Sequence, residues 1–242
     1  MILALLLTVS PLHTPAQKEL TEPLTHGLSD GKVGEWATWR IDGGGDRVHF
    51  WRMALVGEEV DKKGRPACWL EFELGQHPAM KAPLLQLRML IARGAGMNKD
   101  GVTRVFIATG ANKPNELADD AVEQLMTDDA PKTPPASQAQ LLPGLSTFVG
   151  QPTELMTLAG TVTATPIEVR LRSTMVKRIW TSPQVPLVHL AKLEIPGIAH
   201  TIEVRDFGIN AHSQMVLPAP GTAKIKLEGY DDPTTRQPAA VP

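Results

Sequence analysis

Cysteine is almost missing from this chain. Cys68 is the only one among 242 residues, so no intramolecular disulfide can form and the fold must be held by its core. An excess of charge of one sign is missing too: 24 basic and 26 acidic residues leave a formal net charge of -2. That balance excludes the electrostatic footprint of a nucleic-acid binder and any polybasic patch for anionic lipid. No apolar run is long enough to span a bilayer. With 21 Pro and 20 Gly scattered along it, the chain also lacks the uninterrupted stretches that a long-helix bundle needs.

Catalytic and cofactor motifs are equally scarce. "GLSTF" around Ser146 has the first half of a nucleophile elbow and lacks the second Gly that lets the turn close. "GAGMNK" at Gly94 has two glycines of a dinucleotide loop, but an "NKDG" turn and a strand follow where a helix N-terminus should meet the pyrophosphate. The same "NKDG" fails as a calcium loop, because Gly96 and Ile107 stand at its first and last ligand positions. His189, His200 and His212 are too far apart to form a zinc spacing, and no Cys pair accompanies them. Neither Asp128 and Asp129 nor Asp231 and Asp232 read as a positioned acid and base. The expectation is no enzyme, no metal and no cofactor.

What is present begins with the N-terminus. "MILALLLTVSPL" is apolar but too short to span, and Thr14 and Ala16 in "HTPAQ" suit a cleavage site after Ala16. Residues 1–16 therefore read as a signal peptide, residues 17–230 as one β-rich domain, and "DDPTTRQPAAVP" (231–242) as a disordered tail. The location expected is periplasmic or secreted, with no transmembrane segment in the mature chain.

Period two dominates the domain. In "RPACWLEFELGQ", Cys68, Leu70, Phe72 and Leu74 share one face while Glu71 and Glu73 share the other, the pattern of a strand with one dry side. "TPIEVRLRS" sets Ile167, Val169 and Leu171 against Glu168, Arg170 and Arg172, and "AKIKLEG" sets Ala223, Ile225 and Leu227 against Lys224, Lys226 and Glu228. Further strands are expected at 34–41, 47–56, 84–92, 102–108, 188–195 and 201–206. Between them, "IDGGGDRV", "DKKGRP" and "MNKDGV" supply hairpin chemistry, which makes an antiparallel meander with its Glu, Arg and Lys sets on a wet face. "NELADDAVEQLM" alone reads as an amphipathic helix, with Asn115 as cap and Leu117, Ala121, Val122, Leu125 and Met126 at helical spacing. "TDDAPKTPPASQAQLLPG" (127–144) after it reads as a proline-rich mobile loop or lid.

Tryptophan is in excess: Trp36, Trp39, Trp51, Trp69 and Trp180 against a single Tyr, all on or beside strands. Ordinary core filling accounts for such residues, and so does an apolar cavity lined by large stiff rings. Nine methionines lean the same way. The cavity expected from the alternation is lined by Cys68, Leu70, Phe72, Leu74, Ile167, Val169, Leu171, Ile202 and Val204, with Leu125 and Met126 contributed by the lid.

One tract resembles a known family. Trp180-x-Ser182-x-x-Val185-Pro186, then Lys192-x-Glu194 and a strand closing on Asp206-Phe207-Gly208, resembles the C-terminal half of secreted envelope proteins related to the outer-membrane lipoprotein-carrier (LolA/LolB-like) group. "GEWATWRI" at 34–41 and "WRMALVGEE" resemble the start of the same proteins, so the resemblance spans about 32–210; His189 departs from it, standing where a small residue is expected. The resemblance implies a mainly β protein with minor α: a strongly curved antiparallel sheet, or half-barrel, packed on its concave side by one or a few helices. It implies the shielding of acyl chains in an aqueous compartment. Two functions remain open at this point: a carrier or sensor that binds a lipid or acylated polypeptide in an apolar cavity, or an envelope adaptor with a filled core that docks a protein partner through its sheet edge.

Overall fold

The computed structural model describes residues 28, 30–43, 48–128 and 144–226. The expectations for 1–16, 231–242 and most of the proline-rich loop lie outside the described residues. Twelve strands form one antiparallel sheet: β1 (Trp36–Asp42), β2 (Val48–Val60), β3 (Pro66–Gly75), β4 (Leu85–Ala92), β5 (Val102–Thr109), β6 (Asn115–Glu116), β7 (Leu145–Val149), β8 (Thr153–Thr157), β9 (Gly160–Leu171), β10 (Thr174–Thr181), β11 (Leu190–Ile195) and β12 (His200–Gly208). The helix α1 (Asp119–Asp128) follows β6. The order β6-β5-β4-β3-β2-β1-β12-β11-β10-β9-β7 is two meanders joined where β1 pairs with β12. β7 and β8 share the outer edge of β9, β8 against its first half and β7 against its second.

The sheet is open and curved. Its register breaks between Thr38 and Trp39, Leu55 and Gly57, Leu90 and Ile91, Met175 and Lys177, and Trp180 and Thr181. An extra residue on one strand bends that strand and deepens its twist, so breaks spread over both meanders curl the whole sheet. Turn chemistry is local. Asp61 Oδ1 accepts the N–H groups of Lys63 and Arg65, and its Oδ2 accepts Arg65 Nε at 2.8 Å, with Gly64 at positive φ closing the β2–β3 hairpin.

Register assigns the faces. Trp39, Trp51, Phe72 and Leu87 lie on one transverse row or its diagonal, together with Met53, Leu70 and Met89. This inner face is the one that receives α1, whose Ala121 and Val122 pack into the same buried cluster as Val105 of β5. Ring centroids of Trp39 and Trp51 are 4.7 Å apart and those of Trp51 and Phe72 5.7 Å, pairs that contribute about 0.5–1.5 kcal/mol each beyond their buried area.

The outer face departs from the alternation argument. Glu71 and Glu73, expected in water, are each only 2% exposed. Residues 209–226 form a strap that leaves β12 and crosses this face toward β6, delivering Met215 onto Trp69, Leu90 and Phe106. A period-two pattern reports which residues share a face, but not whether a later segment covers that face. Gly34 lies under the start of the strap: at φ +98° its missing side chain leaves room for the Ile209 carbonyl, which a Cβ would meet at 2.4 Å.

Other boundaries move for stated reasons. Leu117 still donates its N–H to Val105 O, so the chain stays in the sheet through β6 and the helix starts at Asp119; Asn115 is a strand residue, not a cap. The helix runs on to Asp128, one residue past the start of the expected loop at 127. Of the expected strand 223–227, the described residues 223–226 form a single parallel bridge, between Ile225 and Leu117. β7, β8 and β10 were not anticipated: in β10, Lys177 and Arg178 follow one another and break the alternation, and β8 ("TELMT") is short and mostly exposed.

Candidate ligand-binding face

The expected cavity residues fall mainly on the inner face. Cys68, Leu70 and Phe72 of β3, Ile167 of β9, and Ile202 and Val204 of β12 are buried in one cluster. Leu74 and, from α1, Leu125 and Met126 are half-buried against it. Val169 is buried outside that cluster, and Leu171 is half-buried and belongs to neither cluster. The same cluster continues on the outer side of β9 and β10 through Val162, Ala164 and Trp180, where the β8–β9 turn folds back and Leu158 N–H reaches Glu203 Oε1 at 2.9 Å.

None of the eleven residues lines either of two surface concavities. One, of about 390 Å³, lies at the rim among Glu35, Gln184, Leu187, His189, Phe207 and Ile209. The other, of about 420 Å³, lies at the sheet edge beside Ile107, Thr109, Lys113, Asn115 and Ile225. The inner wall of β3 is therefore covered rather than open.

Polar groups divide sharply between the faces. On the outer side, Glu73 accepts Arg52 Nη1 at 2.7 Å and Gln86 Nε2 at 2.8 Å; Glu71 accepts Ser213 Oγ and, at 2.8 Å, the backbone N–H of Gln214. Arg88 and Arg104 stack over Trp69 at 4.8 and 5.4 Å, and Trp69 donates to Glu59 at 2.9 Å. At the other end of the sheet Glu168 sits between Arg170 and Arg178; hydrogen bonding to Arg170 is the main reason its carboxyl is held below the usual range.

The inner face is left less complete. Trp36, Trp39 and Trp69 each donate their indole N–H, Trp39 to Leu190 O at 2.7 Å, whereas the buried Nε1 of Trp51 has no acceptor among the described residues. Lys177 projects from an inner register position of β10 without a hydrogen-bond or ion-pair partner among the described residues, and burial pushes its ammonium pKa down. Neither residue was among the expected site residues. The tryptophan excess pointed toward Trp51, while the bulge that turns Lys177 inward has no sequence signature. Burial raises the pKa of the Cys68 thiol, which keeps it protonated and inert at neutral pH. Among the described residues, no three His, Cys, Asp or Glu side chains converge as a metal site would require.

No family model matches the chain, and no curated protein does. Among solved structures, the chain is similar to MucB in complex with MucA(peri), at 11% identity and TM-score 0.39, covering 83% of this chain and 59% of that one. It is similar to a protein from Bacteroides fragilis described as exported and YmcC-like in fold, at 9% identity and TM-score 0.33, covering 73% and 96%. It is also similar to an outer membrane lipoprotein-sorting protein domain from Vibrio parahaemolyticus, at 8% identity and TM-score 0.29, covering 82% and 92%. The chain thus spans about three fifths (59%) of the MucB chain it matches. No described helix is long and apolar enough to cross a membrane.

Proposed function

We propose that this chain is an exported, non-catalytic carrier or sensor that takes a lipid, or the acyl chain of a modified polypeptide, against the inner face of its curved sheet. The observation that carries this reading is the unpartnered indole N–H of Trp51, buried between Trp39 and Phe72 in the middle of an apolar wall. A buried donor without an acceptor costs about 1–3 kcal/mol, and an ester or carboxyl oxygen of a bound amphiphile would remove that cost. The ligand-facing residues proposed are Cys68, Leu70, Phe72, Leu74, Ile167, Val169, Leu171, Ile202 and Val204, with Leu125 and Met126 on the element that moves.

That wall is covered in the free chain, and this reading takes α1, seated on β5, as the element that gives way to the ligand. The helix offers Val122 to the core with Leu125 and Met126 half-buried beside it; at about 1.5–3 kcal/mol for a fully buried aliphatic side chain and half that for a half-buried one, lifting it forfeits roughly 3–6 kcal/mol. An acyl chain with about ten CH₂ groups recovers ~8 kcal/mol at ~0.8 each. Exchange of helix for ligand is therefore favourable without any enclosed cavity in the free state.

A second reading has its own support. The edge made by β7 and β8 exposes Phe148, Val149 and Met156, the last 81% exposed, which suits an adaptor that docks a protein partner along that strand. One experiment separates the two. Protein purified without detergent is titrated with a brominated fatty acid while tryptophan emission is followed. The carrier reading expects quenching from the Trp39–Trp51 pair that is lost when α1 is tethered to β5 by an engineered disulfide. No quenching, together with no lipid recovered by organic extraction and mass spectrometry, removes it and leaves the adaptor.

A further inference from the structure

We infer that Lys177 anchors the anionic head of an amphiphile whose acyl chain lies on the inner face; this deepens the carrier reading and rests on it. Register fixes where the lysine sits. On β10, Arg178 opposes Glu168 and pairs with it on the outer side, whereas Lys177 opposes Val169 and Ile179 opposes Ile167. Val176 is the extra residue between the Met175–Arg170 and Lys177–Val169 pairs, and it is this bulge that hands Lys177 to the inner side.

Among the described residues, the register neighbours of Lys177 are uncharged. Val169 lies directly across, Ile179 two residues on, Leu171 diagonally, and Thr147 of β7 flanks Val169 from the far side. Inner register positions of β7 and β9–β12 carry no carboxylate. The neighbouring outer cations are served: Arg170 and Arg178 by Glu168, and Lys192 by Glu194 at 2.9 Å and Glu203 at 3.8 Å. A cation held half-buried on an oily surface, with its ammonium pKa depressed by burial and no counter-ion among the described residues, is a cost to the free protein. A bound carboxylate or phosphate monoester supplies the missing charge, and the adjoining Val169–Ile167 and Ile179 wall accepts the chain attached to it. The absence of inner carboxylates nearby disfavours a zwitterionic or cationic head at this place.

The test measures binding of decanoate, decyl phosphate and neutral decyl maltoside, together with inorganic phosphate, to the full chain, its K177M variant and its K177R variant. The wild type is expected to bind both anionic amphiphiles. K177M should weaken those two by about tenfold or more while leaving decyl maltoside within about twofold, and K177R should keep most of the affinity. Thermal melting reports folding independently: K177M should melt at or above the wild-type temperature, because it removes an unpaired cation from an apolar surface. Equal affinity of wild type and K177M for all three amphiphiles overturns the anchor while the carrier reading stands. Failure of wild type to bind any amphiphile overturns both. Binding of inorganic phosphate to wild type as tightly as decyl phosphate, lost in K177M, reduces the site to an anion site and overturns the amphiphile assignment.

Discussion

Removing the Glu71 carboxylate should unfasten the strap from the outer face, and its cost follows from the groups left behind. Glu71→Ala deletes the acceptor of Ser213 Oγ and of the Gln214 N–H, and strips Arg88, 13% exposed and 3.5 Å away, of its carboxylate. Hydrogen bonds to a charged group contribute about 1.5–3 kcal/mol each, and breaking a buried ion pair costs about 3–5 kcal/mol. These overlap, because Ser213 also accepts from Arg88 at 2.8 Å, so about 4 kcal/mol is the expected loss, a large share of a domain's roughly 5–15. At about 2–4 °C per kcal/mol for a chain of this size, the melting temperature should fall by about 8–16 °C. Limited proteolysis should then cut first near Met215, since the strap no longer holds that side chain on Trp69, Leu90 and Phe106. A Ser213→Ala cycle should show coupling of about 1 kcal/mol or more with Glu71→Ala. A melting temperature within about 2 °C of wild type, with the strap still protected, would refute the idea that Glu71 fastens it.

Gly34→Ala should destabilise by at least about 2 kcal/mol, since a Cβ there meets the Ile209 carbonyl at 2.4 Å and φ is +98°; urea unfolding checks it, and a neutral substitution would mean the strap yields at no cost. Phe72→Asp should fail to fold, being 1% exposed beside Trp51, whereas Leu171→Asp, half-buried and outside both clusters, should fold and lose only amphiphile binding; circular dichroism of the two variants distinguishes them. Acid should destabilise through Asp61 and Glu116. Burial acts to raise both carboxyls, but the bonds from Arg65 and Lys63 on one and from Arg104 and Lys224 on the other outweigh it and hold both below their ordinary values. Carboxyls depressed in the folded state stabilise it fully above their unfolded values near ~4 and lose that contribution as pH falls through the folded ones. Unfolding free energy should therefore be level from about pH 7 to 5 and fall below about pH 4, with a shallower fall in Asp61→Asn; an unchanged acid slope in that variant would contradict the assignment.

The sheet was legible because its strands alternate where one face is dry. β3 reads from "CWLEFEL", and Asp-Lys-Lys-Gly marks the β2–β3 turn through bonds that Asp61 makes within the turn itself. What was not legible depends on chain far away in sequence. Glu71 and Glu73 alternate as surface residues do and are nevertheless buried: a segment about 140 residues later bonds Glu71 through Ser213 and Gln214, while Arg52 and Gln86 close over Glu73. β10 has no polar–apolar alternation to read, because the bulge at Val176 leaves Met175 beside Val176 and Lys177 beside Arg178 in sequence. Among the residues proposed for the site, the aliphatics of β3, β9 and β12 share the inner face by parity alone, since parity is a local property. The seating of α1 against β5 was not legible, since it depends on β6 ending at Glu116 and on Lys62, Lys224 and Lys226 holding Asp119 and Asp120 at the sheet edge.

Satisfaction of polar groups, more than apolar content, separates the two sides of this sheet. Both faces bury tryptophan. On the outer face Trp69 has an acceptor and two guanidinium partners, and the buried Glu71 and Glu73 each hold two donors; the unpartnered Nε atoms of Arg88 and Arg178 belong to guanidiniums whose other nitrogens are engaged. That side is finished by its own chain. On the inner face the Trp51 N–H and the Lys177 ammonium have no partner among the described residues, although the chain places acceptors readily elsewhere. A fold selected only for stability would lose nothing by carrying Phe and Met at those two positions, since both would remove an unpaired polar group from an apolar wall. Two donors on one wall, on β2 and on β10 with three strands of aliphatic side chains between them, match an amphiphile whose anionic end meets Lys177 and whose ester oxygen lies further along, at Trp51.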